Sequence, residues 1–149
     1  ETLIDSAAIL DYLDELVGPD RALIPASRAE RRATLKLLAL ATDAAEKGVI
    51  AFYELNRRPD DKIWKEAADK YSEQILGGLG AIEEAAPADG GWLVGGKISQ
   101  ADITTACVYE FIQVVLPGLL NDTSLPRITR LVARLNELEG YFSTHPSTE

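Results

Sequence analysis

The chain has 149 residues, 46% of them apolar and 26% charged, with 24 acidic against 15 basic side chains for a net charge of −9, and a single cysteine. This supports one compact domain with its own core and excludes a disordered chain. The acidic balance argues against nucleic acid and anionic membranes as partners, because both are bound by clustered Lys and Arg. Cys107 cannot form an internal disulfide, which fits a reducing compartment. No apolar run approaches the ~18 residues that a membrane span requires.

Five or six helices and almost no strand are predicted. The chain opens at Glu1, contains no Met, and reads as structured from Leu3-Ile4, so further residues are expected to precede it. No signal-peptide pattern is seen. The first helix is expected from about Asp5 to Leu16, with Ile9, Tyr12, Leu13 and Leu16 on one stripe. Asp5 or Ser6 can cap its free amides, and Gly18-Pro19 stops it. An extended connector follows, with Leu23 and Ile24 turned to the core. The second helix is expected from near Ser27 to about Arg58, ended by Pro59. Its predicted stripe is Leu38, Ala41, Ala45, Val49 and Phe52, while Ala44, Gly48 and Ala51 keep much of the same side thin. Ile50 and Tyr53 fall off that stripe, either as ordinary exposed residues or as a second contact surface.

The third helix is predicted from about Asp60 to Ala86, with Trp64, Ala67, Ala68, Tyr71, Ile75, Leu79 and Ile82 inward. Gly77, Gly78 and Gly80 mark a kink or a close crossing, since each costs roughly 1 kcal/mol relative to Ala. Trp92, Leu93 and Val94 anchor the next loop. The fourth helix starts at Ser99 and is apolar nearly all round, which predicts that protein surrounds it. Pro117-Gly118 breaks it. The last clear helix is expected from about Leu125 to Leu138, with Gly140 ending it and a short turn or helix in the tail.

The stretch KISQADITT, Lys97 to Thr105, is the most informative. With Ser99 as N-cap, Asp102 falls at N3. Each side chain can then satisfy the other's amide in a capping box, and Ile98 and Ile103 form the hydrophobic staple. The overlapping GWLVGGKI, Gly91 to Ile98, has phosphate-loop spacing but lacks the Ser or Thr after the Lys and the preceding strand. Asn121-Asp122-Thr123 is a glycosylation triplet without other signs of secretion. Catalytic constellations are poor. His145 reads as a surface tail residue, Cys107 as an inert buried hydrophobe, and Asp14-Glu15 and Glu83-Glu84 as solvated faces. No spacing suits a metal.

Together, TLIDSAAILDYLDE, the LIP connector, the long helix ending in YELNRRP, and WLVGGKISQADITTACVYEF resemble a bacterial cytosolic glutathione transferase. The resemblance covers the whole chain and lacks most of that family's thioredoxin-like N-terminal domain. It implies an all-α fold: residues 1–17 as the terminal helix of the thioredoxin-like domain, 18–27 as connector, and 28–149 as the family's C-terminal helical bundle. It implies glutathione as co-substrate, with Asp5 and Ser6 matching the acidic-Ser pair that binds the γ-glutamyl end. A helix start suits such a carboxylate. It further implies a small hydrophobic electrophile, with Tyr53 and Phe111 as pocket walls, a homodimer and a cytoplasmic location. The family's thiol-activating Tyr, Ser or Cys and its cis-proline have no counterpart here, so the chain by itself is expected to be inactive. A non-catalytic assembly module is the rival reading.

Overall fold

The computed structural model describes residues 2–26 and 28–146. It is all-helical, with no strand among the described residues. In chain order the helices are α1 (Ser6–Val17), α2 (Arg28–Asn56), α3 (Lys65–Ala85), α4 (Gln100–Val115), α5 (Pro126–Asn136) and α6 (Glu139–Phe142), with a 3-10 turn at Asp60–Lys62. The expected start of α2 at Ser27 lies outside the described residues. The long α2 packs against both α3 and α4, α5 packs on α4 and α3, and α6 on α5. The core is a continuous cluster running from Leu37 and Ala41 of α2 through Ile75, Leu79 and Ile82 of α3 to Ile112 of α4 and Ile128 and Leu135 of α5.

The seam of α2 is rotated from the predicted stripe. Thr34, Leu37, Ala41, Ala44, Gly48 and Ala51 are buried, whereas Val49 is 43% exposed. Small residues win the interface because they allow the backbones to close. A Cβ on Gly48 would stand 2.5 Å from Ile112 Cδ1 and 3.2 Å from Phe111 Cε1. Gly78 of α3 makes the matching approach on the other flank, where an added Cβ would stand 3.4 Å from the Leu40 carbonyl oxygen. It therefore serves a close crossing inside an unbroken helix.

Several boundaries differ for identifiable reasons. The third helix starts at Lys65 rather than Asp60 because the Trp64 amide bonds to Glu54 Oε1 at 2.8 Å, taking that residue out of the helical ladder. The Trp64 ring is 63% exposed rather than inward. The fifth helix opens at Pro126, the first position, where a missing N–H costs nothing. Gly140 lies inside α6 and does not end α5. Glu15 and Glu84 are exposed as expected, but the other member of each acidic pair is engaged. Glu83 of α3 accepts from the amides of Arg127 and Ile128 at 2.9–3.0 Å, capping α5 from a neighbouring helix. Asp14 of α1 accepts from Leu23 N at 2.8 Å and Ile24 N at 2.9 Å, fastening the connector to α1.

The capping box at the head of α4 closes. Asp102 Oδ2 accepts from the Ser99 amide at 2.8 Å and the Ser99 hydroxyl at 2.7 Å. Its Oδ1 accepts from the Leu93 amide at 2.8 Å, which ties in the preceding loop. Asp102 is fully buried. Burial pushes its carboxyl above the ordinary range, against the opposing pull of the Leu93 and Ser99 hydrogen bonds. Removing the carboxylate strands two buried amides, so Asp102→Ala should cost about 3 kcal/mol in denaturant unfolding, at ~1–3 kcal/mol per orphaned group. A carboxyl with a raised folded pKa contributes most below its unfolded value of about 3.9, and loses that contribution as pH rises through its folded value. The stability advantage of the wild-type chain over Asp102→Asn, which cannot titrate, should therefore shrink as pH rises from 4 and then level off.

Candidate functional site

Two of the clefts on the bundle hold expected site residues. The first lies between the start of α1 and the α2 surface. Asp5 caps α1, its Oδ1 accepting from the Ala7 amide at 2.8 Å. It holds φ 78°, ψ 135°, the one positive φ at a non-glycine among the described residues. Such a conformation costs of order 1–3 kcal/mol and persists where the surroundings enforce it, often at ligand sites. Asp5 and Ser6 face Leu38, Thr42 and Glu46 of α2 and Thr104 of α4 across a cleft of about 490 Å³.

The position of α1 follows from the core. Gly18, at φ 76°, ends the helix in a conformation that favours glycine. Asp14 then grips the connector, and the Leu23 carbonyl accepts from Gln100 N at 2.9 Å, at the capped head of α4. Yet α1 buries none of its own residues. The stripe expected to face inward is open to solvent, with Leu16 62% and Leu13 46% exposed. The bundle-facing side is the one carrying Asp5, Ser6 and Leu10.

The second cleft, of about 340 Å³, runs between α4 and the C-terminal segment. Its α4 wall includes Ile103, Cys107, Phe111 and Val114, and Tyr141 and His145 face them. Within this chain, α4 is therefore open along one flank. Cys107 is exposed and Val114 is 74% exposed. Phe111 lines this cleft, but Tyr53 lines neither. The α2 residue against Phe111 is Gly48, and five residues further on Tyr53 is turned about 140° away at ~100° per residue. It is 58% exposed.

Glu110 organises the polar side of this cleft. Its Oε2 accepts from the Tyr141 hydroxyl at 2.7 Å and lies 3.2 Å from His145 Nε2; its Oε1 accepts from Asn136 Nδ2 at 3.2 Å. The Cys107 thiol points at the Tyr141 oxygen at 3.8 Å. Partial desolvation against the cleft wall pushes the Cys107 thiol up, with the Tyr141 hydrogen bond opposing and the Glu110 charge adding to the effect. Burial and the bond to Glu110 also drive the Tyr141 hydroxyl upward. His145 is therefore not a free tail residue. The signal in the sequence was Glu110, the only charge in α4 beyond Asp102. No group of three His, Cys, Asp or Glu among the described residues is placed to hold a metal ion. No helix among them is long and apolar enough to cross a membrane.

A helix hung by a clamped connector on an all-helical bundle, whose central helix opens with Ser-x-x-Asp, is the arrangement that the resemblance implies. Residues 41–139 match the family model described as glutathione S-transferase, C-terminal domain, and the chain belongs to that family. A glutathione S-transferase from Methylobacillus flagellatus, solved with glutathione bound, superposes with TM-score 0.88 at 26% identity over 99% of this chain and 71% of its own. A glutathione transferase family member from Pseudomonas fluorescens Pf-5, also with bound glutathione, gives 0.85 at 28% identity over 98% and 69%. The probable maleylacetoacetate isomerase 1 of Drosophila melanogaster is 29% identical over 153 residues, covering 99% of this chain. The chain spans 57% of that relative's length.

Cys107 provides a check on the second cleft. An uncharged maleimide should label it completely in the folded chain. The rate should still be climbing with pH at 9, above the ordinary thiol pKa of about 8.5. Tyr141→Phe, which removes a bond that lowers the thiol pKa, should shift the profile further upward. Mass spectrometry of the quenched reaction reads both.

Proposed function

We propose that this chain is the glutathione-binding and substrate-facing portion of a cytoplasmic glutathione transferase, acting with residues 1–17 as the last helix of a thioredoxin-like domain, 18–27 as connector and 28–149 as the helical domain. The observation that carries the reading is the first cleft, where the strained Asp5 cap and Ser6 face the bundle. The free amides and positive dipole end of α1 suit the glutamyl carboxylate of glutathione. The Ser6 hydroxyl would donate to the same carboxylate, and Asp5 would take the ammonium. The bound glutathione of the two bacterial relatives supports this assignment.

Phe111 and the apolar α4 wall would form one side of the electrophile pocket. Tyr53 is better suited, with Ile50, to a subunit interface, because both are exposed on one side of α2 at 58% and 42%. Two such surfaces would support a homodimer. Conjugation would require glutathione to be held as thiolate so that its sulfur attacks the electrophile. The Cys107 thiol and the Tyr141 hydroxyl hold their protons tightly and lie in the other cleft, so the chain by itself should bind without turning over.

The intact gene product should be retained on immobilised glutathione and eluted by the free tripeptide. Asp5→Ala and Ser6→Ala should each weaken retention roughly tenfold, the scale of one or two charge-assisted hydrogen bonds. Full retention by the double variant would remove Asp5 and Ser6 from the site. No retention of the wild-type protein would favour the non-catalytic assembly role.

A further inference from the structure

We propose that Glu110 makes the second cleft selective for uncharged apolar molecules and excludes those carrying a carboxylate, sulfonate or phosphate. This rests on reading that cleft as the pocket for the hydrophobic partner of glutathione, and it adds which hydrophobic molecules enter. The cleft walls are overwhelmingly side-chain carbon and sulfur, from Ile103, Cys107, Phe111 and Val114. Among the described residues no Lys or Arg lines the cleft, so no permanent positive charge there receives an anion. Among the described lining residues the one fixed charge is the Glu110 carboxylate, with 21% of its side chain exposed.

That carboxylate cannot swing away from a ligand. Tyr141 of α6 and His145 of the tail converge on Oε2, while Asn136 of α5 holds Oε1. Three elements fix one side chain of a fourth. Of the groups around it, only His145 can offset the charge, and only when protonated. The Tyr141 and Asn136 donors are spent on Glu110, so they offer a ligand no strong polar handle. What remains for a ligand is an apolar surface beside a negative charge. Two like charges about 8–12 Å apart, at an effective dielectric of about 20, repel enough to weaken binding roughly tenfold to thirtyfold.

The test uses two fluorescent probes on one aromatic skeleton. N-phenyl-1-naphthylamine is uncharged, and 8-anilino-1-naphthalenesulfonate adds a sulfonate. Affinities are measured on the full chain at pH 8, above the usual histidine range. The amine should bind, and the sulfonate should bind roughly tenfold or more weakly. Glu110→Gln keeps the shape and removes the charge; it should strengthen only the sulfonate and nearly close the gap. Val114→Lys, on the exposed rim, should favour the sulfonate in the same way and decides the matter if Glu110→Gln does not fold. Prior capping of Cys107 with N-ethylmaleimide should abolish amine binding, locating it in the cleft. Equal binding of both probes to the wild-type chain, or a ratio unmoved by the substitutions, overturns the assignment to Glu110. Absence of amine binding, or its survival after Cys107 is capped, overturns the pocket itself. Neither result bears on retention by immobilised glutathione, so failure of the first cleft remains distinguishable.

Discussion

The buried carboxylate of Asp102 is the constraint on which the rest depends. One side chain serves the Ser99 amide, the Ser99 hydroxyl and the Leu93 amide. A helix end away from water must find partners for its first amides, and α4 is the helix that α2 and α5 both pack against. With its head fixed, α4 presents Ile112 to α2 and a partly open flank to the second cleft. Through the Leu23 carbonyl on Gln100 N, the same head also sets where the connector, and hence α1, is held. Both clefts are therefore referenced to one capped turn.

Close approach does the remaining positioning. The Thr34–Ala51 face of α2 is built from small side chains, and Gly48 lets Ile112 and Phe111 come within a distance that a methyl group would obstruct. This places Phe111 at the junction of seam and cleft. Packing and pocket shape are thereby coupled at one aromatic ring, as is expected in a close-packed interior where small volume changes are transmitted.

Much of the fold was legible in the sequence because helix periodicity and capping are local. Ser99, Asp102 and their staple are within five residues of each other, and the apolar spacing of Ile128, Leu131 and Leu135 is a single-helix property. The second cleft was not legible, because its groups come from distant parts of the chain. Cys107 and Tyr141 are 34 residues apart, and Glu110 and Asn136 are 26 apart. Glu110 stands out as a lone charge within α4, but its partners on α5, α6 and the tail are not given by local spacing. The same applies to Glu83 and Asp14, whose carboxylates serve backbone amides 44 and 9 residues away. The rotated α2 seam failed for a different reason. Hydrophobicity ranks Val49 above Gly48, whereas helix packing at short range favours the smaller residue.

The capping of α5 by Glu83 makes the order of assembly asymmetric. The first turn of α5 has no acceptor of its own for the amides of Arg127 and Ile128, and Arg127 Nη1 also reaches the carbonyls of Glu83, Glu84 and Ala86. A nascent chain could complete α2, α3 and α4 without residues beyond 115. The α5 segment, by contrast, has to wait for a docked α3 before its leading peptide groups are satisfied. The tail that lines the second cleft follows that helix, so the C-terminal wall of the cleft depends on the contact between α3 and α5.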